Sequence, residues 1–293
     1  MMKIEHSMMH KGAGATALVL FFLLAVAPAN ASAQASPRPQ GLGGGTAQTV
    51  TPFQMFDNLY YVGLDFVCAY VIETSDGLIL IDTLFGDFSE HTADAMEELG
   101  LDPQDVEYII ITHGHDDHYA GAKRMQELTG ARVMMAEADW ELMESTIREN
   151  DEVDLKLIPR DMIVSDGDTL TLGDTTINLY VTPGHTDGVT SLEFPVYEGG
   201  EEFEVFLWSG PTLNGNNVPA LRNFAATIRR LQTLATPDVW LHSHPWSVSF
   251  FDKYERLAAR SNGDPNPYVN PGEVPVFLEQ RLTDTERRLA EAQ

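Results

Sequence analysis

The chain has 293 residues, enough for one large domain or two small ones, and 43% of them are apolar, which supports a sizeable core. Its 44 acidic residues outnumber 18 basic ones, for a formal net charge of −26. A surface of that sign repels phosphate backbones and argues against a nucleic-acid partner.

The N-terminus reads as a targeting segment. Lys3 and Lys11 precede the apolar run Thr16 to Ala27, which has the length of a secretory signal core and is too short for a confident membrane span. Ala29-Asn30-Ala31 and Ala33-Gln34-Ala35 offer small-residue cleavage sites. The expected organisation is a signal peptide over 1–31, a flexible leader over 32–50 and one folded domain over 51–293. An exported protein, periplasmic or secreted and without a stable membrane anchor after cleavage, follows; an uncleaved anchor helix is the alternative. The single cysteine, Cys68, forbids an intramolecular disulfide. It lies in the apolar run Phe66 to Val71, without a base nearby in sequence, and is expected as a buried small hydrophobe.

Taken in chain order, Ala69–Thr74 and Leu78–Thr83 flank the turn Ser75-Asp76-Gly77 and read as a hairpin. A helix is expected from about Ser89 to Leu99, closed by Gly100. The apolar strand Tyr108–Thr112 follows, then a helix from about Ala120 to Leu128, a strand Ala131–Met135 and a helix from Asp139 to Glu149. The second half reads as strands Thr169–Leu172, Thr176–Thr182, Val189–Phe194 and Phe203–Trp208, an amphipathic helix from Pro219 to Leu234, and a short strand Val239–His242. Helices from Phe250 to Arg260 and from about Val274 to Ala292 enclose a Gly/Pro/Asn-rich loop over 261–272. Both halves place strands before helices. Two mixed sheets set back to back, with helices over the outer faces, would bury these strands, and ligands would collect at the strand ends.

One such end carries unusual chemistry. Directly after Tyr108–Thr112 the chain spells His113-Gly114-His115-Asp116-Asp117-His118. Zinc prefers imidazole nitrogen and carboxylate oxygen in roughly tetrahedral geometry, and one ion cannot take four groups from so tight a segment. Two ions can, with His113 and His115 on one and Asp117 and His118 on the other. Each then needs a further donor. His185, in Thr182-Pro183-Gly184-His185-Thr186, is one candidate; Gly184 permits a sharp bend there. His244, held by Pro245, is the other, and His242 competes with it because residues two apart on a strand share a face. His91 stands apart, in an acidic helix, and is expected at the surface.

These motifs carry a resemblance. His113-x-His115-x-Asp117-His118 and Thr182 to Thr186 are similar to signatures of the metallo-β-lactamase fold superfamily, and Gly77 to Thr83 resembles its early strand. The similarity spans roughly residues 55–260 and implies an α/β, four-layer αββα sandwich. No carboxylate or cysteine occurs in Trp208 to Leu213, where other branches supply a metal ligand. The remaining His/His/His plus Asp/His/His pattern looks like the third, cysteine-free, dizinc subclass of metallo-β-lactamases and its periplasmic relatives. In that group Ser243-His244-Pro245 resembles the sixth ligand, which selects His244 over His242.

The resemblance implies two Zn2+ ions and hydrolysis of a cyclic amide by hydroxide held between them, with Asp117 as metal ligand and catalytic residue. It places Asp82 in support behind the ligands and makes Ser209 the nearest match to serines that bind a β-lactam carboxylate. Asp116 stands where the lactamases often carry an aromatic residue, and its charge disfavours an anionic substrate. The sequence offers no clear Lys or Arg to meet such a carboxylate. A dizinc lactonase, esterase or phosphodiesterase of the same fold, and a non-catalytic zinc-binding periplasmic protein, are the alternatives. A small-molecule substrate is the expected partner.

Overall fold

Leu78 to Ile81 and Tyr108 to Ile111 carry more apolar side chains than a strand wet on one face can use, and both lie deep within a sheet. A computed structural model describes residues 47–293, apart from 86, 87, 89, 150–156, 214 and 235–236. The signal peptide and most of the leader expected from sequence lie outside the described residues. The leader's end does not behave as a free linker. Thr49 bridges Leu64, the Gln48 amide donates to Asp65 Oδ1 at 2.8 Å, and Val50 is buried.

Seven strands form the first sheet in sequence order: β1 (Phe53–Phe56), β2 (Leu59–Tyr61), β3 (Tyr70–Thr74), β4 (Gly77–Ile81), β5 (Val106–Ile110), β6 (Arg132–Ala136) and β7 (Met162–Val164). The first four run antiparallel and the last four parallel. The second sheet is ordered β12-β11-β10-β9-β8, from β8 (Thr169–Leu172), β9 (Thr175–Val181), β10 (Thr190–Glu198), β11 (Glu201–Trp208) and β12 (Val239–His242). Only β11 and β12 pair in parallel there.

The alternation of strand side chains builds the layers. Leu78, Leu80 and Ile109 turn outward onto Met96 of α1 (His91–Glu98), Met125 of α3 (Ala122–Thr129), which follows the single turn α2 (Asp116–Tyr119), and Trp140 of α4 (Glu137–Glu149). Ile79, Ile81 and Ile110 turn inward and join Ile177, Leu192 and Phe194 of the second sheet. Each such side chain stabilises the fold by roughly 1.5–3 kcal/mol when fully buried. On the far face of the second sheet, Trp208 stacks on Phe224 of α5 (Val218–Leu231), and Trp208 and Trp240 meet Phe277 of α7 (Glu273–Glu291), the helix after α6 (Phe250–Ala259). Helix, sheet, sheet and helix give the αββα sandwich.

Helix α5 shows why the sequence folds so. Asn217 caps its first turn by accepting from the Ala220 amide at 3.2 Å, and Pro219 occupies a position whose amide has no helical partner. Leu221, Phe224, Ala225, Ile228 and Leu231 recur at helical spacing and form its buried face.

The structure differs from the sequence reading at the short elements. Strands β1, β2 and β7 have three or four residues each and show no sustained alternation. The segment 261–272 is the loop read from sequence, and it is packed: Tyr268 is buried, Val269 bridges Val239, and the Asn266 amide donates to the Met55 carbonyl at 2.9 Å. His91 is half-buried at the start of α1 rather than on the surface, and burial lowers its pKa. Cys68 is buried as expected, and that burial pushes its thiol up to about 12, far from a nucleophilic thiolate.

Candidate metal centre

Four strand ends open on one edge of the sandwich. Asp82 follows β4, His113 to His118 follow β5, His185 follows β9 and His244 follows β12. Two groups of three donors form there. His113, His115 and His185 make one and Asp117, His118 and His244 the other, with the donor atoms in each group within 4.8 Å of one another. Ring centroids of His113 and His118, from different groups, are 3.9 Å apart, so the two triads adjoin. His242 belongs to neither.

The hydrogen bonds around the rings decide which nitrogens face inward. Thr112 Oγ1 donates to Asp82 Oδ2 at 2.8 Å and so accepts from His113 Nδ1 at 3.2 Å. His118 Nδ1 donates to Asp82 Oδ2 at 2.7 Å, His185 Nδ1 to the Thr212 carbonyl at 2.9 Å and His244 Nδ1 to the Phe66 carbonyl at 2.8 Å. Carboxylate and carbonyl oxygens cannot donate, so all four imidazoles aim Nε2 into the site, and each ring that is neutral keeps its lone pair there. His115 turns the other way, with Nδ1 at 3.1 Å from His185 Nε2.

Protonation follows the same geometry. Burial lowers the pKa of His113 and His115 and holds His185 and His244 down at about 4, so these rings are neutral at pH 7, the form in which an imidazole can bind a metal. Burial opposes charge on His118 too, but the carboxylates of Asp117 and Asp82 outweigh it and raise that ring to about 10, so a cation held at its Nε2 would displace a proton. Burial likewise works against the Asp117 carboxylate, and the His118 imidazolium beside it still holds its pKa well below the usual range.

A divalent cation fits this arrangement. His113 Nε2 and His118 Nε2 are buried without a hydrogen-bond partner, an expensive state for a polar atom. Asp117 Oδ2 lies 3.4 Å from His118 Nε2 and 3.6 Å from His244 Nε2, close enough for the three to share one cation. Three nitrogens on one side, and two nitrogens with a carboxylate on the other, match the donor chemistry of zinc, and three protein donors apiece would leave room for a water or substrate atom at each.

The loops are held from behind. Asp82 is 1% exposed and adopts φ +60°, a left-handed conformation that Asp tolerates better than most residues. Its carboxylate also accepts the Thr112 amide at 2.8 Å. Asp139, at the start of α4, was not singled out by sequence. It is fully buried, and its carboxylate accepts the Gly114 amide at 3.0 Å, the Thr186 hydroxyl at 2.7 Å and the Gly188 amide at 3.1 Å. One side chain thus ties the His113–His118 loop to the His185 loop. A Cβ on Gly114 would come within 2.6 Å of the Asp139 carbonyl, so only glycine permits that approach. Gly184 has φ +148°, and a side chain there would strike Phe224.

Other sequence candidates sit elsewhere. Ser209 is 1% exposed and its hydroxyl donates to the Thr190 carbonyl at 2.5 Å, which places it in the packing behind the site. Asp116 is exposed beside the triads and belongs to neither. His242 is buried, bonded through Nδ1 to Ser247 Oγ, and packs on Phe277 at 5.0 Å. A cleft of about 900 Å³ opens beside His115 and His185, and its wall carries Glu144, Arg148 and Arg160. Arg160 is engaged by Glu137 and Glu144, whereas Arg148 is 70% exposed and 3.8 Å from Glu144. Sequence alone did not reveal a cation here because both arginines lie far from the histidine motifs in the chain.

Fold and site together define a member of the metallo-β-lactamase superfamily: its sequence profile matches residues 62–198, and the chain belongs to it. BJP-1 of Bradyrhizobium japonicum, a subclass B3 metallo-β-lactamase, shares 33% identity over 84% of this chain and 96% of its own, with a TM-score of 0.76. FEZ-1 of Legionella gormanii shares the fold at 24% identity over 85% of this chain and 99% of its own, with a TM-score of 0.77. A hydroxyacylglutathione hydrolase of Francisella philomiragia subsp. philomiragia is 28% identical over 162 residues, 55% of this chain and 53% of its own. One from Cereibacter sphaeroides is 33% identical over 101 residues, 34% of this chain and 33% of its own. The matched stretches thus span about half of the first hydrolase and a third of the second.

Proposed function

We propose that this superfamily hydrolase is an exported, dizinc, β-lactamase-like enzyme that opens a cyclic amide. The observation that carries the reading is the pair of adjoining donor triads with four outward-bonded Nδ1–H groups. Likeness to a subclass B3 enzyme along nearly that enzyme's whole length supports the substrate class. So does the composition of the triads: five imidazoles and one carboxylate, with none of the donors drawn from Trp208 to Leu213.

His113, His115 and His185 would hold one zinc ion, and Asp117, His118 and His244 the other. Bound zinc supplies Lewis acidity and brings the pKa of water towards 7. The chain's own residues set the geometry. Asp82, Thr112 and the carbonyls of Thr212 and Phe66 fix four rings in one tautomer, and Asp139 fixes the distance between two ligand loops. Asp117, held as a carboxylate, would orient the attacking water and relay its proton to the departing nitrogen. Arg148, across the cleft, offers a cation to a substrate carboxylate, the group for which Ser209 is too deeply buried. The cleft volume suits a small molecule, the acidic surface disfavours nucleic acid, and the apolar run at residues 16–27 supports export.

A second reading is a thioesterase or lactonase of the same fold, favoured by the similarity to hydroxyacylglutathione hydrolases. Steady-state rates of the zinc-loaded mature chain on nitrocefin, an S-acylglutathione, an acyl-homoserine lactone and bis-p-nitrophenyl phosphate separate the two. A kcat/KM for nitrocefin at least tenfold above the others supports the lactamase reading, and turnover confined to the thioester or lactone overturns it.

A further inference from the structure

The two flanks of the site differ in character. Beyond His115 and His185 the wall is charged, with Glu141, Glu144, Arg148 and Arg160. On the opposite flank His244 stands between two aromatic rings, Phe66 at 5.2 Å and Trp246 at 5.5 Å between centroids. Phe66 is 42% and Trp246 40% exposed. Every other Phe, Tyr and Trp among the described residues is buried or half-buried, so the two exposed aromatics of the fold both touch one metal-donor candidate.

Their backbones explain the placement but not the rings. The Phe66 carbonyl orients His244, a task any residue could perform. Trp246 follows Pro245 in a 3-10 turn whose Ser247 hydroxyl donates to the His244 carbonyl at 2.9 Å. Both rings are thereby held on fixed backbone, with apolar area open to water. Covering such area is favourable, and rigid aromatics lose little conformational freedom when a ligand docks.

We propose that Phe66 and Trp246 form an aromatic subsite on the His244 flank, which takes an apolar, preferentially aromatic, substituent attached next to the group being hydrolysed. The inference rests on the metal site proposed above but not on the bond that is cleaved. The substrate would then be two-ended, with a ring beside His244 and polar or anionic groups towards Arg148.

Two zinc-chelating probes that differ by one ring, phenylacetohydroxamate and acetohydroxamate, test this on the zinc-loaded chain by calorimetry and by quenching of tryptophan fluorescence. The aromatic probe is expected to bind about tenfold tighter, a difference of about 1.4 kcal/mol. In the double variant Phe66→Ala, Trp246→Ala that ratio falls to about one, and Trp246→Phe retains most of it. Affinity for acetohydroxamate reports whether the donors remain assembled; should the double variant lose it, Phe66→Leu and Trp246→Leu must each lower the ratio. Equal binding of the two probes by the unmodified chain, or an undiminished ratio in the variants, overturns the subsite. Failure to bind either probe overturns the metal reading and the subsite with it. Absence of β-lactam turnover overturns only the substrate reading and leaves the probe ratio as stated.

Discussion

His118 Nδ1 lies 2.7 Å from Asp82 Oδ2, with both side chains essentially sealed from water. The contact fixes which nitrogen of His118 faces the site and sets a full negative charge behind it. The same oxygen receives Thr112 Oγ1, so Asp82 orients His113 as well, through one intervening hydroxyl. Asp82→Asn removes the charge and introduces a donor where two donors already point. Zinc affinity, measured by competition with a chelating dye, should fall by about 10–100-fold. Unchanged affinity would show that this carboxylate does not orient the ligands.

Asp139→Ala leaves two amides and a hydroxyl without an acceptor in a buried place. Leaving buried donors unsatisfied should cost about 3 kcal/mol in urea unfolding. Zinc binding should weaken in parallel, since the loops of His115 and His185 lose their shared tie. A loss below about 1 kcal/mol would assign the latch to other contacts.

His242 and His244 separate cleanly. His244→Ala should remove one zinc ion and lower turnover by more than the about 100-fold that bounds a change outside the ligand sphere. His242→Gln should retain both ions and act on thermal stability alone. Metal analysis of the two variants, side by side, decides it; loss of zinc from the His242 variant would reverse the assignment.

Glu204 gives a pH dependence away from the metals. Burial, then the nearby charges of Glu193, Glu202 and Asp238, raises its carboxyl to about 7. A raised carboxyl favours the protonated fold: the stabilising share is full below the unfolded value near 4.5 and is lost as pH climbs through about 7. Glu204→Gln removes the penalty of the charged form. Its Tm should exceed that of the parent by about 2–4 °C at pH 8 and match it at pH 4. Equal Tm values at pH 8 would contradict the shift.

Much of the site was legible because its chemistry is local. Four donors fall within six positions after an apolar strand, and the other two histidines also follow strands. What could not be read was tertiary. Asp139 looks like an ordinary acidic residue in a helix's first turn, and only the fold brings Gly114 and Gly188 to it. His242 and His244 should share a face if the strand continued, but β12 ends at His242 and the chain turns at Pro245. Ser209 looked available, since a sequence cannot show that the Thr190 carbonyl already holds its hydroxyl. The long strands and helices were set by periodicity and caps, whereas β1, β2 and β7 are too short to display a period and exist through their neighbours.

Zinc content measured together with turnover tests the account most directly. After dialysis against trace-free buffer, the mature chain should retain two zinc ions, and His185→Ala and His244→Ala one each. Dipicolinate should abolish hydrolysis and added zinc restore it. Hydrolysis that persists after complete metal removal, or two ions still bound in both variants, would contradict the two-triad site.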